Sequence, residues 1–284
     1  MSEESESSAA SDNGNVNGSA DKRLDNSGKQ EKALEESTFG ILPVVVLISG
    51  SGSNLQALID SEEHGRRYRI VHVLSNRAGV KGLERAARAG IASSVVSHKA
   101  FDKREEFDQA LAEKIDAAFS EFRDQDSQHT IPDSHHGLVV LAGFMRILSS
   151  AFTERYRGRM VNIHPSLLPK YPGLHTHQRA LDAGDTKAGV TVHFVTADLD
   201  GGPPIVQAEV AVLQGDSADD LAKRALTQEH VIYPIVIKWF AEGRLSMRDG
   251  MAFLDNKRLP LTGITLQASD QTIAGVASDS SFQK

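Results

Sequence analysis

Asn162 and His164 are the residues whose types and spacing most directly suggest chemistry. They stand two positions apart in the short apolar run 160–164, so both side chains point to the same face of a strand. An imidazole can give or take a proton near neutral pH, and an asparagine amide beside it can donate to a developing oxyanion. Pro165 and Pro169 restrict the chain that follows and would fix the direction of His164.

Two other interpretations of His164 stay open at this level. A metal site would need further ligands, and His175 and His177 are the candidates. Prolines and a glycine intervene, however, and no His-Glu-x-x-His spacing exists, so the pattern does not favour a metal. A purely structural histidine at a strand end fits the sequence as well.

Asp200, in the segment "DLDGGP", is the natural carboxylate partner for His164. A carboxylate in a glycine-rich turn can face a cleft, and beside an imidazole it would favour the protonated ring. Asp-Gly is also ordinary turn chemistry, so a structural role fits equally. The distance between the two residues does not follow from the sequence.

The glycine-rich loop 50–54, "GSGSN", joins an apolar run to a helical pattern. Backbone N–H groups at a helix N-terminus form a cradle for one phosphate. The loop is not a dinucleotide fingerprint, since Leu55 takes the place of the third glycine, and no Gly-Lys-Ser/Thr follows. A plain turn, with Ser53 or Asn54 as the helix cap, is an equal alternative.

The elements that must position these residues alternate along the chain. Apolar runs predict strands at 43–48, 70–75, 94–97, 137–144 and 160–164, and helical spacing lies between them near 55–59, 83–90 and 103–118. This order predicts an α/β fold, a Rossmann-like, mostly parallel open sheet with helices on both faces. Runs at 190–195 and 204–213 predict an antiparallel extension, and a helix follows from Ser217 to Glu242.

The domain boundaries follow from composition. Residues 1–38 and 267–284 are polar and poor in large apolar side chains, which predicts two disordered tails around a domain at 41–262. The polar segment 119–136 is interpreted as a surface insertion. Its histidines suggest metal binding, but a solvated loop is favoured because no supporting ligands stand at fixed spacing; they are His129, His135 and His136.

Composition excludes several classes of function. The chain has no cysteine, which rules out disulfides, thiolate nucleophiles and Cys-rich zinc sites. Residues 1–40 hold nine acidic and four basic residues, so most of the net charge of −7 lies there and the body is nearly neutral. No broad basic surface for nucleic acid is expected. No apolar run is long enough for a membrane span and no signal core begins the chain, so a cytoplasmic location is expected.

Five segments between about Val44 and Pro260 closely resemble the phosphoribosylglycinamide formyltransferases, folate-dependent enzymes of purine synthesis. They are "VVVLISGSGSNLQALID", "VVLAGFMRILS", "NIHPSLLPKYPGLHTH", "VHFVTADLDGGPPIVQA" and "TQEHVIYPIV". The "HPSLLP" element is shared by the wider group of formyltetrahydrofolate-using enzymes. The "GSGSN" loop, "FMRIL" and "TQEHVIYP" are more specific. Ser51 departs from the asparagine that relatives often carry, a small change that leaves the phosphate site intact.

The resemblance implies a reaction and its catalytic residues. The amine of glycinamide ribonucleotide attacks the formyl carbon of 10-formyltetrahydrofolate, and a tetrahedral intermediate breaks down to formylglycinamide ribonucleotide and tetrahydrofolate. Asn162 would contact the formyl oxygen, and His164 would be the proton donor. Asp200 would keep His164 protonated and organise water. No metal is implied.

The resemblance also implies the binding residues and partners. Gly52, Ser53 and Asn54 would hold the ribonucleotide phosphate, and Glu229 would contact the ribonucleotide. The folate pocket would be lined by Arg104, Met145, Arg146, Ile147 and Leu148, with Asn162 beside the formyl group. The expected partners are these two small molecules, in a monomer or a homodimer.

Three rival functions fit the sequence less well. A formyltetrahydrofolate hydrolase would carry an N-terminal regulatory domain, and a methionyl-tRNA formyltransferase would carry a C-terminal nucleic-acid domain. Residues 1–38 cannot fold into the former, and too few residues follow Pro260 for the latter. The rival of another class is a non-enzymatic nucleotide-binding module, which would have no need of Asn162, His164 and Asp200 together.

Overall fold

The computed structural model describes residues 40–125 and 137–267. Within these residues the helices are α1 (Ser53–Asp60), α2 (Lys81–Arg88), α3 (Arg104–Gln125), α4 (Ser150–Arg155), α5 (Thr176–Asp182) and α6 (Ala218–Ala241). The strands are β1 (Leu42–Ile48), β2 (Tyr68–Ser75), β3 (Ser93–Val95), β4 (Leu138–Leu141), β5 (Met160–His164), β6 (Lys187–Phe194), β7 (Pro204–Ala211), β8 (Leu245–Arg248), β9 (Met251–Leu254), β10 (Lys257–Arg258) and β11 (Ile264–Gln267).

The main sheet has the strand order β11-β7-β6-β5-β4-β1-β2-β3. The five strands at one side of this order, β5-β4-β1-β2-β3, are all parallel to their neighbours. Strand β6 is antiparallel to both β5 and β7. The predicted α/β fold, with a mostly parallel sheet and an antiparallel extension, is confirmed. Strand β11, to which the sequence pattern assigned no element, lies parallel to β7 and extends the sheet to Gln267. A small antiparallel sheet is formed by β8, β9 and β10.

Strand β1 shows why the sheet is covered on both faces. All seven of its residues are buried. Val44, Val46 and Ile48 belong to a core formed with α1, α2 and α6, whereas Val45 and Leu47 belong to a second core formed with α3 and α4. Because successive side chains of a strand point to opposite faces, a continuous apolar run requires a helical layer on each side.

Helix α3 differs from the expectation. It continues to Gln125 rather than ending at 118, and its added turns bury Phe119 and Phe122. Residues 119–125 therefore belong to the helix and the core, not to a surface insertion. The sequence pattern did not indicate this continuation of the helix, because most residues of 119–125 are polar and exposed, and only Phe119 and Phe122 are buried. Residues 126–136, with their three histidines, lie outside the described residues.

The helix ends near the site are defined by short-range chemistry. Helix α6 begins as expected at a capping box, in which the Ser217 side chain accepts from the Asp220 backbone and the Asp220 carboxylate accepts in return. Strand β4 ends at Leu141, earlier than expected, so "FMRIL" lies in a loop rather than in a strand. No helix in residues 40–125 or 137–267 combines the length and the apolar character needed to cross a membrane.

We expect Phe122→Ala to lower the free energy of unfolding by about 3 kcal/mol, the usual cost of emptying a phenylalanine site in a core. Glu121→Ala, one residue away and exposed, is the matched control and should change the stability by less than about 0.5 kcal/mol. Urea denaturation of both variants measures the difference. Equal, near-zero effects would mean that residues 119–125 are solvated after all.

Candidate active site

The parallel neighbours β1, β4 and β5 end at one edge of the sheet, and the loops that follow them surround a cavity of about 550 Å³. Parallel strands place their carboxyl ends together, which makes this edge the usual ligand site of open α/β sheets. Eight of the residues assigned to catalysis or substrate binding line the cavity, as do the two candidate metal ligands His175 and His177. The eight are Asn54, Met145, Arg146, Ile147, Asn162, His164, Asp200 and Glu229.

The remaining selected residues lie near this cavity or away from it. Leu148 lines an adjoining cavity of about 100 Å³, which shares Asn162 and Asp200 with the larger one. Gly52 and Ser53 precede Asn54 at the start of α1 but line neither cavity. Arg104 is exposed at the first residue of α3 and also lines neither.

His164 is held between two acceptors. Its Nδ1 lies 3.4 Å from Oδ2 of Asp200, and its Nε2 lies 2.9 Å from the carbonyl oxygen of Tyr171. A neutral imidazole carries one N–H and satisfies only one of these oxygens, whereas an imidazolium donates to both. The ring is buried, so the fixed oxygens take the place of solvent. The two ring nitrogens of His164 therefore each face a fixed oxygen.

Asp200 reaches His164 because of an unusual turn. Its backbone has φ 51°, in the left-handed region, and the backbone N–H of Gly173 donates to Oδ2 at 2.8 Å. A Cβ on Gly202 would lie 1.8 Å from the carbonyl oxygen of Phe194, so only glycine fits there. The "DGG" sequence is thus required for the chain to bring Asp200 to this position.

Asn162 is oriented by His193, which stands opposite it in the antiparallel β5–β6 pair. The Nδ1 of His193 lies 2.8 Å from the Phe194 carbonyl oxygen and must donate to it, so Nε2 is left to accept from Asn162 Nδ2 at 3.1 Å. Burial lowers the pKa of His193 to about 4, so the ring is neutral at pH 7. The Asn162 amide keeps its second N–H for a ligand oxygen in the cavity.

Glu229 and Asn54 form the opposite wall. Asn54 Nδ2 donates to Glu229 Oε2 at 2.6 Å, which links α1 to α6. Burial raises the pKa of Glu229, and the Asn54 hydrogen bond and the charge of His164 oppose that rise. The sequence alone showed Glu229 as an ordinary helix carboxylate, and its burial comes from the packing of α6.

The phosphate-cradle loop has a different cap from the one expected. Gly52, with φ 69°, is the N-cap of α1, and neither Ser53 nor Asn54 caps the helix. The chain passes so close to α2 that a Cβ on Gly52 would lie 2.6 Å from the Gly82 Cα. Arg85, which sequence reasoning missed, donates to the Ser51 carbonyl at 2.9 Å and brings a positive charge to this loop.

Tyr171 was also missed, because its backbone rather than its side chain faces His164. Its φ of 55° is strained for a non-glycine residue. The phenol donates to Asp185 at 2.8 Å, and Lys170 is paired with the same carboxylate at 2.9 Å. These anchors hold the carbonyl that accepts from His164. The only available signal was the Pro-Gly turn after the tyrosine.

A metal centre finds no support in the described part of the chain. No group of three or more histidines, aspartates and glutamates is arranged there to hold a metal ion. His177, one of the candidate ligands, has a lowered pKa because it is desolvated, and its Nε2 has no partner within the described residues.

Comparison with known proteins agrees with this geometry. A family model described as formyl transferase matches residues 42–237. A phosphoribosylglycinamide formyltransferase of Escherichia coli is 54% identical over 221 residues, which are 78% of this chain and 97% of that protein. A trifunctional purine biosynthetic protein of Homo sapiens is 45% identical over 205 residues, 72% of this chain and 19% of that protein.

The solved structures are similar as well. That of a phosphoribosylglycinamide formyltransferase from Coxiella burnetii is 46% identical, with a TM-score of 0.71 over 80% of this chain and 100% of that one. A glycinamide ribonucleotide transformylase from Symbiobacterium toebii is 44% identical, with a TM-score of 0.67 over 75% of this chain and 94% of that one.

The lowered pKa of His193 predicts a pH dependence of stability. The folded protein binds this proton only near pH 4, whereas the unfolded chain binds it near 6.5. Between these values the unfolded state holds more protons, so the free energy of unfolding decreases as the pH falls through this window, by up to about 3 kcal/mol. His193→Gln should lack this share of the decrease.

Denaturation curves between pH 7 and 4 for both proteins measure the difference. The other desolvated histidines are present in both and cancel. Parallel stability profiles for the wild type and the variant would contradict a neutral, buried His193.

Proposed function

Because the chain belongs to the formyl transferase family, we propose that it transfers the formyl group of 10-formyltetrahydrofolate to the amine of 5′-phosphoribosylglycinamide. It is an enzyme of purine synthesis, with these two small molecules as its partners. The observation that carries the reaction is the placement of His164 between Asp200 and Tyr171, beside Asn162, on one wall of the large cavity.

The chemistry needs proton transfer and oxyanion stabilisation. The substrate amine attacks the formyl carbon, a C–N bond forms, and the carbonyl oxygen becomes an oxyanion. The free N–H of Asn162 and the positive charge of His164 stabilise that oxyanion. When the intermediate breaks, the bond to N10 of the folate is cleaved, and this nitrogen gains a proton as the attacking amine loses one. His164 supplies the proton to N10 when its Nε2–H turns from the Tyr171 carbonyl oxygen to the folate nitrogen, and Asp200 and water return a proton from the amine to the ring.

The ribonucleotide occupies the side of the cavity formed by α1 and α6. The backbone N–H groups of Gly52, Ser53 and Asn54 lie at the N-terminus of α1, where the helix dipole favours a phosphate. Arg85 adds a cation behind the loop. Glu229, on the facing helix, contacts the ribonucleotide near the amine.

The folate occupies the side formed by the loop after β4. Met145 borders the larger cavity, Leu148 borders the smaller one, and Arg146 and Ile147 border both. The donor therefore extends from one cavity into the other, with its formyl group near Asn162. Arg104 is exposed outside these cavities and suits contact with an acidic part of the folate that projects into solvent.

The first test is release of tetrahydrofolate from 10-formyltetrahydrofolate, followed by absorbance with and without the ribonucleotide. Release should require the ribonucleotide, because its amine is the nucleophile. Release in its absence would instead identify water as the nucleophile and the protein as a hydrolase. No release from folded protein in either mixture would leave a binding module.

We expect Asp200→Asn to lower kcat by at least about a hundredfold, because the amide no longer favours the protonated His164. Ribonucleotide affinity should stay within a few fold, since Asn54 and Glu229 are unchanged. Asp182→Asn, an identical substitution at an exposed helix residue, is the control. Full turnover in Asp200→Asn would remove Asp200 from the mechanism.

A further inference from the structure

In the loop Met145–Leu148, the side chains of Met145 and Ile147 face the cavity, whereas Leu148 is buried in the core formed with α3 and α4. Met145 is 61% exposed and Ile147 is 60% exposed. The loop is irregular, between the end of β4 and the start of α4. Leu148 anchors one end of the loop by burial, but Met145 and Ile147 contribute little burial, so the cavity-facing part needs another source of order.

That order comes from one hydrogen bond at each end of the loop. At the first end, the backbone N–H of Met145 donates to the Ser49 hydroxyl at 2.8 Å. At the other end, the backbone N–H of Ser149 donates to Asp108 Oδ2 at 2.7 Å. Both acceptors are buried, and they come from separate elements, the end of β1 and the first turns of α3.

The buried side chain of Asp108 lowers the stability of the fold. Its side chain is surrounded by the apolar core of α3, and Oδ1 has no partner among the described residues. Burial of a carboxylate with one oxygen unpaired costs stability, and an apolar residue there would cost less. In its place Asp108 accepts a hydrogen bond from the Ser149 backbone N–H. A rigid, buried acceptor fixes the end of the loop more firmly than solvent does.

We propose that Ser49 and Asp108 are positioning residues for the formyl donor, which hold Met145–Leu148 in the shape that receives the folate. This inference rests on the proposed function, since it takes the loop as the folate-binding wall. A loop that is already ordered gives up less conformational entropy when the ligand binds. Loss of either bond should therefore weaken folate binding.

The effect should be confined to the folate. The ribonucleotide wall is formed by α1 and α6, and its Asn54–Glu229 bond uses neither Ser49 nor Asp108. A general loss of folding would instead affect both substrates. The ratio of the two KM values thus separates positioning from stability.

The experiment compares the wild-type full chain with four variants, each with one substitution: Ser49→Ala, Asp108→Asn, Asp108→Ala and Phe119→Leu. Phe119→Leu lowers the stability of the same helix from a buried site that makes neither hydrogen bond. Steady-state kinetics gives both KM values, calorimetry gives the Kd of tetrahydrofolate, and thermal unfolding gives the stability of each variant.

We expect Ser49→Ala and Asp108→Ala each to raise the KM for 10-formyltetrahydrofolate and the Kd of tetrahydrofolate about tenfold, the order of one charged or buried hydrogen bond. The KM for the ribonucleotide should stay within twofold. Asp108→Asn keeps an acceptor oxygen and should restore most of the affinity. If Asp108→Ala does not fold, Ser49→Ala carries the test.

Unchanged folate constants in a folded Ser49→Ala, or equal losses for both substrates that match Phe119→Leu, would overturn the inference. Failure of the proposed function is a separate result, because the wild-type protein would then show no ribonucleotide-dependent release. In that case tetrahydrofolate binding by calorimetry still reports on the loop.

Discussion

The imidazole of His164, fixed between a carboxylate and a carbonyl oxygen, is the interaction on which the rest of the site depends. The two ring nitrogens contact oxygens of Asp200 and Tyr171, which lie in turns that are far apart in the sequence. Each of these residues has a positive φ, a conformation that costs about 1 kcal/mol or more and persists only where the surroundings enforce it. Glycine at 202 permits the close approach that the first turn needs, and the hydrogen bond from Tyr171 to Asp185 helps to hold the second.

The sheet topology makes this arrangement possible. The order changes from parallel to antiparallel between β5 and β6, so the end of β5 lies beside the interior of β6. Asn162 and His164 project from β5, and the register places His193 directly across from Asn162.

The sequence predicted strands β1 to β7 and most of the residues that line the cavity, because these depend on local pattern or on motifs shared with relatives. It did not predict what depends on packing. His193 stood in an apolar run without a sign of its partner, and Asp108 looked like one acidic residue among several at the start of a helix. The contact from His164 to Tyr171 is made to the backbone carbonyl oxygen, which every residue type carries, so the residue type gives no sign of it. Gly52 displaced Ser53 and Asn54 as a cap because α2 leaves no space for a side chain.

One carboxylate, that of Asp200, lies near two buried histidines, His164 and His193. Asp200 turns Oδ2 toward His164 and the Gly173 N–H, and its other oxygen lies 3.9 Å from His193. A single carboxylate in a buried site cannot compensate two imidazolium ions, and the Phe194 carbonyl already fixes the neutral tautomer of His193. The low pKa of His193 follows chiefly from its burial, and the neighbouring His164 lowers it further. In the proposed mechanism His164 is the proton donor, and the neutral His193 orients the Asn162 amide that would meet the oxyanion.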